Sequence, residues 1–196
     1  LEASKILEDE RFYRYGRFFS ANFGFGLTGF TGNRGRAYDN FPPSYNISVV
    51  YFFNFQVAFT MGVQYSKHAM YIDTPVNAHR GLLLGTVEVS MIRPFFGFRY
   101  YIDTSDLGTA ITYANPYFTG RFEYWYQTNK FINQPSVENQ AGGGVGTGIG
   151  FGLEFPIEFK ESYLGVEFLV HQVNFFDKFT QDYAPIPEDD PEGRTS

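Results

Sequence analysis

The stretch YNISVVYFFNFQVAFTMGVQY, residues 45–65, decides the fold. Tyr45, Ile47, Val49, Tyr51 and Phe53 are apolar at every second position. After a turn at Asn54, the apolar set Val57, Phe59, Met61, Val63 and Tyr65 alternates with Gln56, Thr60, Gly62, Gln64 and Ser66. A period of two puts successive side chains on opposite faces of a pleated strand, so this stretch predicts two strands joined by a tight hairpin.

The same period extends outward in both directions. Phe19, Ala21, Phe23, Phe25 and Leu27 alternate with Ser20, Asn22, Gly24, Gly26 and Thr28, which makes strand one. A fourth strand is expected over about 82–102. There Val87, Val89 and Met91 lie on one parity and Phe96, Phe98 and Tyr100 on the other, so a bulge near Arg93-Pro94 is expected to shift the register. Strand five sets Phe118, Phe122, Tyr124 and Tyr126 against Thr119, Arg121, Glu123 and Gln127. Strand six sets Val145, Thr147, Ile149, Phe151, Leu153 and Phe155 against the glycines from Gly144 to Gly152 and Glu154, which assigns that glycine run to a strand rather than a linker. Strand seven sets Leu164, Val166, Phe168 and Val170 against Gly165, Glu167 and His171. Long polar loops at 31–44, 67–80 and 128–142 alternate with tighter links at 54–55, 103–115 and 156–160, the pattern of an antiparallel meander. Residues 1–16, with Ser4 ahead of Ile6 and Leu7, are read as an N-terminal segment with a short helix. The chain starts at Leu1 without a basic-then-apolar leader, so an export signal is expected to have been removed already.

Composition narrows the class. The 196 residues suit one domain, and 20% of them are aromatic, 24 Phe and 15 Tyr among them. The longest run of apolar residues is Val49–Phe53, far below the roughly 20 of a membrane-crossing helix. There is no Cys, which removes disulfides, thiolate metal sites and Cys nucleophiles. A net charge of -6 offers nothing to nucleic acid.

Alternation alone does not say which face meets what. The apolar parity carries about five large side chains per strand, more than a small barrel encloses, whereas the other parity is mostly Gly, Ser, Thr, Asn and Gln. Aromatics gather at strand ends: Tyr51, Phe53, Phe55, Tyr100 and Phe155 near the tight turns, and Phe30, Tyr45, Tyr65 and Tyr126 near the long loops. Two such belts suit the two interfaces of a bilayer. The expected fold is therefore all-β, an antiparallel up-and-down transmembrane β-barrel, closed because lipid leaves no partner for an open edge.

In the runs YNISVVYFFNFQVAFTMGVQY (45–65), FGFRYYID (96–103), NPYFTGRFEYWY (115–126), GFGLEFPI (150–157) and YLGVEFLVHQVNF (163–175), the chain resembles the small outer-membrane barrels of Gram-negative bacteria. Those are of the outer-membrane protein A and outer-membrane protein W type. The resemblance spans about 17–176 and implies eight strands, periplasmic termini, surface loops amid outer-membrane lipids and lipopolysaccharide, and insertion by the barrel-assembly machinery. Seven strands are visible of the expected eight. Residues 177–196 are polar, acidic and Pro-rich, and are read as a surface loop or a cleaved end. A strand-completing segment or partner protein is expected to supply the eighth strand.

Several residues are candidates for chemistry. Glu88, Arg99, Arg121, Glu123, Glu154 and Glu167 fall on the lumen parity in the shifted register, with His171 beside Glu167, and a salt-bridged plug is expected. Arg34, Arg36, Lys67 and Arg80, on or beside the long loops, are candidates to face lipopolysaccharide phosphates. His171 with Ser90 or Ser162 forms no evident triad. His68, Asp73 and His79 in the second loop are weak as a metal site, and the acids at 188–192 lack EF-hand spacing. No catalytic residue, metal or cofactor is assigned. The expected role is a non-enzymatic scaffold in the cell outer membrane, with a narrow channel for small or hydrophobic solutes and a lipid-A-modifying enzyme as alternatives.

Overall fold

The computed structural model describes residues 6–7, 11–12, 16–38, 41–72, 85–104, 114–158 and 162–176. Seven strands follow one another as neighbours in a single antiparallel sheet: β1 (Phe19–Leu27), β2 (Pro43–Phe52), β3 (Val57–Ile72), β4 (Gly85–Tyr101), β5 (Asn115–Phe131), β6 (Gln140–Glu158) and β7 (Ser162–Phe175). The hairpin at residues 53–56 is tied by the Asn54 side chain, whose Oδ1 accepts from the amides of Gln56 at 2.9 Å and Val57 at 2.7 Å. Short links between sequential strands give this up-and-down order, and the twist of each strand curls the sheet into a half-barrel.

Alternation predicts the two faces of the sheet. Phe23, Ile47, Phe98, Phe122, Ile149 and Phe168 stand exposed on the convex outer face. Thr60, Arg99, Arg121 and Glu154 are buried on the concave inner face. Where aromatics oppose each other across outer-face ladders they pack as pairs: Phe96 stacks on Phe122 at 5.6 Å, and Phe59 meets Phe98 edge-on at 5.6 Å.

The expected bulge at Arg93-Pro94 is absent. The β3–β4 ladder runs unbroken from Val57↔Tyr100 to Ile72↔Gly85. The β4–β5 pairing skips Arg93 and Pro94 but keeps its offset on either side, Ile92↔Tyr126 and Phe95↔Glu123. Proline lacks the N–H the ladder would use, so the pairing lapses there without gaining a residue. What changes along β4 is the environment. Val87, Val89 and Met91 face inward, into an apolar cluster with Tyr38, Met70, Trp125 and Phe131 that fills the concave face at the long-loop end. The register shift that occurs lies between Pro156 and Glu158, in β6 against β7.

The strands also outrun the expected loops. β3 continues through Lys67 and His68 to Ile72, β5 reaches Phe131, and β6 starts at Gln140. Polar residues there alternate in a ladder as well as apolar ones do. The first long loop is partly ordered: α1 (Gly32–Ala37) follows Phe30, which turns inward against Tyr38, His68 and Trp125 instead of joining an outer aromatic belt. Tyr45, Tyr65 and Tyr126 do stand on the outer face. At the opposite end Phe12, Val50, Phe52, Ala58, Tyr101 and Tyr117 form a second apolar cluster. Residues 6–7 and 11–12 are helical.

Candidate functional site

Between the two apolar clusters the inner face carries charge. β6 makes room for it: an added Cβ at Gly146 would lie 3.0 Å from Trp125 Nε1, and one at Gly148 would lie 2.8 Å from His171 Nδ1. The glycine stripe leaves β6 without inward side chains, and long side chains from β5 and β7, Trp125, Tyr117 and His171, lie against it.

Two carboxylates organise the network. Glu154 Oε1 lies 3.1 Å from Arg99 Nη1 and accepts from the Tyr101 hydroxyl at 2.9 Å, while its Oε2 lies 2.6 Å from Arg17 Nη2. Glu167 Oε2 lies 3.2 Å from Arg99 Nη2 and accepts from the Tyr117 hydroxyl at 2.9 Å, and its other oxygen binds Arg121. The third carboxylate, Glu123, accepts from Trp125 Nε1 at 3.0 Å and lies 2.9 Å from His171 Nδ1. Aromatic faces take the guanidinium planes: Arg99 over Tyr117 at 4.5 Å, Arg121 over Phe95 at 4.4 Å and Arg93 over Trp125 at 4.2 Å. Charges this buried persist only when paired in this way.

Six of the seven expected lumen residues, Arg99, Arg121, Glu123, Glu154, Glu167 and His171, are thus brought onto one inner surface. Glu88 is not among them. With no bulge its parity is that of Phe96 and Phe98, and on the outer face it pairs with Lys67 at 2.7 Å. The sequence reading missed Arg17 and Arg93. Arg93 shares the odd parity of Arg99 on β4, so an unshifted register places it inside, where it is buried and donates to Thr28 Oγ1 at 3.1 Å. Arg17 precedes β1, and no periodicity could have placed it.

Of the four loop cations, Arg34 turns into the mouth of the half-barrel. It donates to Gln127 Oε1 at 2.5 Å and to the Tyr38 hydroxyl at 2.6 Å, with its guanidinium 3.4 Å from the centre of the Phe175 ring. Lys67 lies on β3 beside Glu88. The Arg36 side chain, Arg80, Asp73, His79 and the acids at 188–192 lie outside the described residues. His68 belongs to β3 rather than a loop, and it is buried with its Nε2 3.1 Å from Ser66 Oγ. Its Nδ1 has no hydrogen-bond partner among the described residues, so this serine-histidine pair has no acid to orient it. No group of three or more His, Asp or Glu among the described residues could hold a metal ion.

A cavity of about 1080 Å³ lies between the network and the opening that separates β1 from β7. Asn22, Asn46, Ser48, Arg121, Glu167 and His171 are among the residues that line it. Comparisons with protein-family models, with characterised proteins and with solved structures give no match in any of the three.

Proposed function

We propose that this chain is the body of a small outer-membrane β-barrel of the outer-membrane protein A and W type, acting as a non-enzymatic scaffold. Its outer face would lie in lipid, with its long-loop end among lipopolysaccharide headgroups, and insertion would go through the barrel-assembly machinery. The observation that carries this reading is the inversion of polarity. Large apolar side chains are exposed on the convex face, while arginines and glutamates are paired on the concave one. An apolar surface of this extent exceeds what water-facing monomers present, and a bilayer is the solvent that suits it.

The scaffold role is supported by how the interior is filled. One apolar cluster closes the long-loop end, another the turn end, and the ion-pair network spans between them. These side chains occupy the inner face of β3–β6, and the space they leave is the cavity along the β1–β7 side. The channel reading has one observation in its favour, the cavity beside Asn22, Asn46 and Ser48. Planar-bilayer recording on the reconstituted chain separates the two. The scaffold gives no unitary conductance, and steady single-channel steps would make the cavity a conduit.

A further inference from the structure

We propose that the cavity between β1 and β7 is a seat for the headgroup of one membrane lipid, a phosphate with neighbouring hydroxyls. The headgroup enters sideways at its own depth, and the acyl chains stay on the convex face. The inference rests on the membrane reading above and goes beyond it, because this site lies inside the curl of the sheet rather than on the loops or along the apolar face.

The wall on β1–β3 carries amides and hydroxyls in place of charge. Asn22, Ser44, Asn46, Ser48 and Gln64 line the cavity there. Gly24 and Gly26 beside them leave space above the wall, and an added Cβ at Gly24 would come no closer than 3.4 Å to Asn46. Ser48 is buried, yet its Oγ has no hydrogen-bond partner among the described residues, and neither have Asn22 Nδ2 and Asn46 Oδ1. Buried polar atoms left in this way call for an outside partner. Together they offer a donor, an acceptor and a hydroxyl that does both, which suits ligand hydroxyls, since each of those also donates and accepts.

The charge comes from Arg93. Gly24, Asn46, Gln64 and Arg93 are successive cross-strand partners in one row over β1–β4. Arg93 is buried, lies over the Trp125 ring and donates to Thr28, and both of those residues line the cavity. Arg17, Arg99 and Arg121 are each paired with Glu154 or Glu167, and Glu123 meets His171, which leaves Arg93 without an ion pair among the described residues. An anion at the Asn46 and Gln64 end of that row offsets the remaining charge. At headgroup depth the common anion is phosphate, which guanidinium groups favour.

Depth and access select a lipid over a soluble phosphate. Asn46 and Gln64 adjoin Tyr45 and Tyr65, which pair with each other and stand exposed on the outer face, as Tyr126 beside Trp125 does. Tyrosines collect where acyl chains give way to headgroups, so a headgroup at that row meets the cavity without sinking into the hydrocarbon. The way in is lateral. Phe23 and Phe25 on β1 and Phe168 and Val170 on β7 border the same cavity and stand exposed on the convex face. A polar wall inside and an apolar rim outside match an amphiphile with its head inward and its chains outward, whereas a free polyol phosphate leaves the rim uncovered.

The test places a single thiol in the cavity by Gly24→Cys, with Gly26→Cys as a second reporter at the next inner position of β1. The full chain is reconstituted in phosphatidylcholine vesicles with or without phosphatidylglycerol, and modification of the thiol by a small neutral thiosulfonate is timed. The expected result is slowing by roughly tenfold with phosphatidylglycerol, the factor for lipid at about ten times its dissociation constant. Phosphatidylserine, which has the charge without the head hydroxyls, and soluble glycerol 3-phosphate are expected to slow it less than about twofold. Adding Asn46→Leu and Ser48→Ala is expected to remove the slowing. Equal rates with and without phosphatidylglycerol overturn the proposal, as does equal slowing by phosphatidylserine. Equal slowing by glycerol 3-phosphate would assign the cavity to a soluble ligand and overturn it too. If the chain does not float with the vesicles, the membrane reading fails by itself. Slowing by a short-chain, monomeric phosphatidylglycerol in buffer then still supports the headgroup seat, and its absence overturns that as well.

Discussion

Arg99 and Glu154 are 55 residues apart in sequence, yet they meet at 3.1 Å on the inner face with side chains only 6% and 8% exposed. They stand on β4 and β6, with β5 between them, so the contact reaches across a strand and exists only because the sheet curls. The same carboxylate also serves Arg17, ahead of β1, and so ties the start of the sheet to its sixth strand.

Glu154→Gln keeps the shape of the side chain and removes its charge, leaving Arg17 without an ion-pair partner among the described residues and Arg99 with Glu167 alone. Breaking a buried pair from one side costs about 3–5 kcal/mol. Denaturant unfolding of the reconstituted variant is expected to show a loss of that order, and a change below about 1 kcal/mol would mean that water already screens the network.

Gly152 sits beneath the Tyr117 ring, its cross-strand partner, and an added Cβ would collide with that ring. Gly152→Val therefore displaces Tyr117 from Glu167 and overpacks the inner face, at a cost of about 1–3 kcal/mol. The matching substitution Gly120→Val, where an added Cβ meets nothing within 4 Å, is expected to cost less. Comparing their unfolding midpoints tests whether β6 is glycine-rich for clearance.

Phe151 is 54% exposed near the middle of β6, and Tyr126 is 44% exposed toward the long-loop end of β5. On a membrane face, Phe151→Lys costs about 2–4 kcal/mol at the bilayer midplane, while Tyr126→Lys near an interface costs about 0–1. Vesicle folding yields that fall for the first and hold for the second are expected. Equal yields would contradict the assignment of depth.

Lys67 and Glu88 form the outward pair, and Lys67 is half exposed. Exposed pairs contribute little because solvent screens them. Lys67→Ala with Glu88→Ala is expected to leave the unfolding midpoint unchanged within error, in contrast to Glu154→Gln.

Strand order, alternation and the facing of Arg99, Arg121, Glu123, Glu154 and Glu167 were all legible in sequence, because a period of two fixes side-chain direction once a strand is recognised. The inference failed where polarity and direction part company. Val87, Val89 and Met91 look like outer-face residues, but they line an apolar end of the interior, and a spurious bulge followed that carried Glu88 inside and Arg93 out of view. Phe30 and Arg34 lie in a loop that folds back into the half-barrel, and such a return is a tertiary event with no local signature. The β1–β7 opening was foreseeable from the odd strand count, whereas its polar wall at Asn22, Asn46 and Ser48 needed the curled sheet.

The central claim is that the convex face meets acyl chains. The chain has no cysteine, so Ile149→Cys, at a position 70% exposed in the middle of β6, gives a unique site for a spin label. Collision with oxygen, which concentrates in lipid, is compared with collision with a water-soluble nickel chelate in reconstituted vesicles. The account requires high oxygen and low nickel accessibility at this site. High nickel accessibility there would contradict it by placing the apolar face in water, and low accessibility to both would contradict it by placing that face against another protein surface.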